Sequence, residues 1–208
     1  MAAKRLREGD LPDAKAYAGK VKRLALALMR HGEEKEAALG FIASAKGILD
    51  ADKAGMARWF AENLPKLEGR ADYKAICEDC ACCLGGKRAE AARAIFLEEA
   101  TLEGRIRRLL ATPLVIGCRG EVVDPRHFTV NFYPEQGYYK CSCLRFEEGK
   151  QPCDIPAGYC YCCCGHLKHH IQKALGQPVE VALRSSSLTT HGKEPCRFLV
   201  TVLPEESV

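Results

Sequence analysis

The sequence offers little that would tie it to a membrane, an export route or a nucleic acid. No apolar run approaches the ~20 residues that span a bilayer, so no membrane association is expected. The chain starts basic, at Lys4, Arg5 and Arg7, but Glu8, Gly9 and Asp10 follow where a signal peptide would carry its apolar core. The expected location is therefore cytoplasmic. Net charge is only +4, and the basic residues near Lys4 to Arg7 and Arg105 to Arg108 are interleaved with acids. That pattern reads as solvated helix faces and speaks against a nucleic-acid partner. No internal repeat is evident, which removes the solenoid architectures.

The chain does have cysteine, 13 residues in 208. In a reducing cytosol such cysteines are thiols or metal ligands, not a disulfide framework. The densest run is Tyr159-Cys160-Tyr161-Cys162-Cys163-Cys164-Gly165-His166, directly before a helical pattern. Thiolates are soft ligands and strong nucleophiles, and a helix N-terminus lowers their pKa. Metal binding, thiol chemistry and redox sensing are the functions this run suggests.

The first half reads as helices. Ala14 to Arg30 carries Val21, Leu24, Leu26, Leu28 and Met29 on an apolar face, and Gly32 ends it. Further helices are predicted over Glu33 to Ile48, Asp52 to Leu64, Tyr73 to Cys83, Lys87 to Leu97 and Leu102 to Leu110. The second half changes period. Leu114 to Ile116, Phe128 to Tyr133 and Tyr138 to Cys143 read as strands, separated by Asp-Pro and Glu-Gln-Gly turns. A helix over Gly165 to Leu175 follows, closed by Gly176, and then strands over Val179 to Arg184 and Arg197 to Leu203. Helices, three strands, a helix and two strands predict an α+β fold with an antiparallel sheet. Residues 1–50 form a separable helical hairpin on this reading, suited to homodimerisation or docking, or else extra packing onto the same domain. Residues 51–208 form a Cys-rich α+β domain.

Three cysteine groups carry the chemistry. Cys77, Cys80, Cys82 and Cys83 lie before Gly85-Gly86, and a C-x-x-C is a half-site for zinc or an iron–sulfur cluster, or a redox pair. Buried small hydrophobes on a helix face are the plain alternative. Cys141 and Cys143 are predicted at a strand end, with both sulfurs on one side. If Tyr159 to Cys164 is extended, Cys160, Cys162 and Cys164 share a face and Cys163 points away. Cys141, Cys143, Cys160 and Cys162 are then expected to converge as four sulfurs for zinc or, alternatively, an iron–sulfur cluster. Cys77, Cys80, Cys82, Cys83, Cys153, Cys164, His166 and Cys196 are possible additional thiol or metal residues. His166 is one helical turn from His170, a spacing that zinc sites use. Cys118 and Cys196 alone read as buried small residues. The groups around Cys77 and Cys141 are expected to meet in space.

The segment Cys160 to Phe198 also resembles the 4-vinyl reductase-like ligand-binding domain. The residues concerned are a Cys before a Gly-initiated helix, Leu175-Gly176-Gln177-Pro178-Val179-Glu180-Val181, a Ser-rich strand end, a Gly192 loop and Cys196-Arg197-Phe198. The resemblance implies an antiparallel sheet with a packed helix, a cavity for a small apolar ligand, and a sensing role. In metal-binding sensors of that type, Cys160 and Cys196 match the first and last zinc ligands, but the middle positions fall near Leu183 and Ser186, which cannot serve. The missing ligands would have to come from Cys141, Cys143 or the Cys162 to Cys164 run. The Trp59 helix, the Cys77 to Cys83 group, the Cys-x-Cys segment and the Tyr-Cys-x-Cys…Gly helix start resemble a Cys-rich family of anaerobic bacteria that has no assigned activity. The terminal Cys-x-Phe strand is similar to that of 2-amino-thiazoline-4-carboxylate hydrolases.

These readings favour a small-molecule or redox sensing module with a cysteine-cluster metal site. One rival is a metal- or thiol-dependent hydrolase of a small heterocycle or amide, with a nucleophile–base pair such as Cys164 and His166. Another is a thiol buffer or metal-trafficking protein. The sequence leaves open whether the chain is an enzyme.

Overall fold

The computed structural model describes residues 7–117, 119–133 and 136–204. The expectations for Cys118, for Lys4 to Leu6 and for Glu135 fall outside those residues. The order is α1 (Gly19–Arg30), α2 (Lys35–Ile42), α3 (Lys53–Asn63), α4 (Tyr73–Glu78), α5 (Gly86–Glu98), α6 (Leu102–Leu110), α7 (Pro113–Ile116), β1 (Arg119–Asp124), β2 (His127–Asn131), α8 (Tyr161–Leu175), β3 (Val179–Ser185) and β4 (Arg197–Val202). The strands form one antiparallel sheet in the order β1-β2-β4-β3. The chain is thus α+β, with N-terminal helices followed by an antiparallel sheet.

Local chemistry sets the helix ends. Asp52 accepts the Gly55 N–H at 2.8 Å to start α3, and Thr101 accepts the Gly104 N–H at 3.1 Å to start α6. Gly176 ends α8 in the left-handed conformation at φ +73°. In the sheet, Phe128, Val130, Val179, Val181, Phe198, Val200 and Val202 alternate inward, and bury against α5, α6, α7 and α8.

Two expected strands are absent. Leu114 to Ile116 lies in α7, because Pro113 occupies the first helical turn and overrides the β-branched Val115 and Ile116. Tyr138 to Cys143 is irregular. Its Tyr139 N–H bonds the Gly192 carbonyl at 2.9 Å, and Arg145 turns back with φ +55° to bond the Cys141 carbonyl. Conversely, β1 carries no buried alternation, since five of its six residues are exposed, and so gave no strand signal.

The hydrophobic interior has two parts. The first joins α1, α3 and α4 to Leu144, Ile155, Tyr159, Cys160, Cys162 and Leu188. The second lies between α8 and the sheet. Tyr161, Cys163 and Leu183 pack against both. Val21, Leu24 and Leu28 of α1 are buried in the first core, so no break in packing marks position 50. Among the described residues, no helix is long and apolar enough to cross a membrane.

Candidate metal and thiol centre

The cysteine run is not extended. A 3-10 turn over Ala157–Cys160 leads straight into α8, so Cys162 and Cys163 occupy its first turn. Neighbouring side chains there diverge by about 100°, and do not take opposite sides as they would on a strand. That change of geometry alters which sulfurs face one another. Cys141, Cys143, Cys162 and Cys163 line one small cavity, where Cys143 interacts with Cys141, Cys162 and Cys163, and Cys163 with Cys162. Cys163 therefore joins the group. Cys160 turns aside to the Ser186 hydroxyl at 2.9 Å, while still lining the same cavity, about 20 Å³ in volume. Cys164 faces the second core, fully buried, and burial pushes its thiol up. It does not share the face predicted with Cys160 and Cys162.

Electrostatics single out Cys143. Hydrogen bonds from Cys141, Cys162 and Cys163, helped by the Lys20 ammonium, hold it far below the usual thiol range. Its partners shift the other way: hydrogen bonding to Cys143 raises Cys141 and Cys163. Placement of Cys162 and Cys163 at the start of a 15-residue helix adds to the stabilisation of negative charge.

Lys20 is the unexpected member. It is 7% exposed, and its Nζ donates to the Tyr159 carbonyl at 2.6 Å and to Cys162 Sγ at 3.0 Å. The same ammonium sits 3.3 Å from the centroid of the Tyr159 ring. Burial alone would lower its pKa, yet Cys162, Tyr159 and Cys143 reverse that and hold it well above the ordinary value. The sequence contained one signal for it: Lys20 is in helical register with Leu24 and Leu28, on the buried face of α1.

Cys77 and Cys80 are buried in the same core as Cys160 and Cys162, within electrostatic reach of Lys20 and Cys162. Burial pushes Cys77 up to about 12. The two cysteine groups therefore do share one packed region. Cys82 and Cys83 lie at its surface, both exposed. Cys153 packs at the core edge beside Arg58 and Asp154. Cys196 Sγ lies 3.4 Å from the Ser187 hydroxyl.

His166 is committed elsewhere. Its Nδ1–H donates to the Cys82 carbonyl at 2.8 Å, and its Nε2 receives the Arg88 guanidinium. His169 Nε2 bonds the Leu84 carbonyl and His170 Nε2 the Cys83 carbonyl, each at 3.0 Å. Three histidines of α8 thus grip three consecutive carbonyls of the loop before α5. The expected Cys164–His166 pair is not formed.

Among the described residues, no group of three or more His, Cys, Asp or Glu side chains stands in a ready metal-ion cage. An apolar groove of about 570 Å³ lies apart from the four sulfurs, between α6 and β1, lined by Leu102, Ile106, Leu110, Val122 and Pro125. Compared with protein-family models, curated proteins and solved structures, the chain matches none.

Proposed function

We propose that this protein is a metal- and redox-responsive binding module whose working centre is the sulfur group of Cys141, Cys143, Cys162 and Cys163, charge-balanced by Lys20. The observation that carries this reading is the buried ammonium on a four-sulfur group. A cation enclosed with thiols fits a centre that is negatively charged in its working state, because an unpaired buried charge costs several kcal/mol. Four thiolates around a divalent ion carry a net charge of about −2, which one ammonium partly offsets. The ion would take the place of the thiol protons.

Cavity size favours zinc over an iron–sulfur cluster. A space of about 20 Å³ admits one ion or one water, not a multi-iron core. The same size argues against a small organic substrate at these sulfurs, and hence against the hydrolase reading. A small apolar ligand would belong in the α6–β1 groove. The sensing element would be the 141–144 turn, which the sulfurs tie to α8 and, through Lys20, to α1. Loss of the ion, or oxidation of Cys143 onto Cys162 or Cys163, would change that tie.

Cobalt(II) titration of reduced protein under anaerobic conditions tests the reading. We expect one equivalent to give the intense thiolate charge-transfer and tetrahedral bands of a four-sulfur site, lost in Cys143→Ser. Only weak octahedral absorption in the wild type would overturn it.

A further inference from the structure

Cys82 and Cys83 form a second sulfur site, outside the buried group. Their sulfurs lie 3.6 Å apart, and both residues are exposed. Adjacent side chains on a strand point to opposite faces, and on a helix they diverge, so contact between adjacent sulfurs needs a special backbone. Cys83 supplies it with φ +59°, a left-handed conformation that non-glycine residues rarely adopt. Three bonds hold the loop in that shape: His166 to the Cys82 carbonyl, His170 to the Cys83 carbonyl and His169 to the Leu84 carbonyl. The dithiol is presented to solvent on a fixed mount.

The geometry points to a two-sulfur chelate for trivalent arsenic, as arsenite or a monosubstituted arsenical. The chemistry selects this ion class by what the loop can supply. Zinc wants four donors, but the three nearby carbonyls are already taken by histidine N–H groups. Linear two-coordinate ions need sulfurs on opposite sides of the metal, much farther apart than these. A disulfide would require closure to about 2 Å. A pyramidal three-coordinate centre with a near-right S–As–S angle spans a sulfur pair only slightly closer than the one observed, and takes its third substituent from outside the protein. The reaction balances without redox change. Two S–H bonds break and two S–As bonds form; the oxygen of a monosubstituted arsenoxide leaves with the two protons as one water, and arsenite, as As(OH)3, gives up two hydroxyls with those protons as two waters. The site does not depend on what the buried sulfurs hold.

Phenylarsine oxide on fully reduced protein, read by intact mass, tests this. In Cys141→Ser/Cys143→Ser protein we expect one phenylarsenic adduct per chain, abolished by adding Cys82→Ser. Because the hub substitutions could unfold the chain, the single Cys82→Ser variant is compared in parallel. Its change lies at an exposed position, and it should take up one equivalent fewer than wild type. Equal uptake by wild type and Cys82→Ser, or an adduct that survives Cys82→Ser in the hub variant, would overturn the assignment.

Discussion

Lys20 shows how one residue can set the chemistry of its surroundings. Its ammonium is held between the Tyr159 carbonyl, the Tyr159 ring and Cys162, so removing it strands negative charge in a buried place. Lys20→Ala should cost about 3 kcal/mol, the scale of a broken buried pair, read as a shifted urea midpoint. Lys20→Met keeps the apolar stem volume and should cost clearly less than the alanine variant. Equal losses would mean that the stem, not the charge, matters. Exposure makes a second residue-scale prediction. N-ethylmaleimide on the metal-free folded protein should modify Cys82 and Cys83 first, and Cys77, Cys80 and Cys164 only on unfolding, followed by peptide mass mapping. Much of this scale was legible. Cysteine density and spacing pointed to the Cys141–Cys143 and Cys160–Cys164 regions without any fold. The place of Cys163 beside Cys143 was not legible, because it follows from a helix starting at Tyr161 and not at Gly165.

At the scale of elements, the centre depends on how closely α8 crosses α4. A Cβ on Gly165 would meet the Glu78 carbonyl oxygen at 2.1 Å and Glu78 Cα at 2.9 Å, both backbone atoms that cannot swing away. Gly165→Ala should therefore separate α4 from α8 and destabilise the fold by about 2 kcal/mol, as measured by chemical denaturation. An unchanged midpoint would show that the two helices can part freely. The histidine grip between α8 and the loop before α5 predicts a pH dependence. Burial, together with repulsion from His166, His169 and Arg88, lowers the His170 pKa to about 4, against an opposing bond to the Cys83 carbonyl. An unfolded histidine takes its proton near 6.5. Between those values the unfolded chain binds a proton that the folded chain refuses. Stability is thus fully present above about 6.5 and falls as the pH drops toward 4, by on the order of 3 kcal/mol from this residue. Urea midpoints at neutral pH and near pH 4.5 should differ less in His170→Gln than in wild type. A slope equal to that of wild type would remove His170 from the account. Helices capped by Asp52, Thr101 and Gly176 could be read from sequence because their signals are local. The α7 helix and the irregular 138–143 segment could not, since β-branched and aromatic residues there are placed by Pro113 and by the Gly192 carbonyl.

At the scale of the molecule, the sulfur group lies where two cores meet. Cys160 and Cys162 are buried in the core built from α1, α3 and α4, and Cys164 in the core under the sheet, while Cys163 touches both. A change at the hub is thus positioned to alter how the N-terminal helices sit on the sheet layer. That two-core arrangement was only partly visible in the sequence. Periodicity separated a helical half from a mixed half, but the bond from Lys20 to Cys162 spans 142 positions, and no local pattern encodes such a contact. The measurement that tests the central claim most directly is metal content, with an absorption spectrum, of protein purified without oxygen, beside Cys143→Ser purified the same way. The account predicts about one zinc per chain and no visible absorbance in the wild type, with the zinc lost in the variant. Zinc retained in full by Cys143→Ser, or a wild type without metal that takes up none when zinc is supplied, would contradict it.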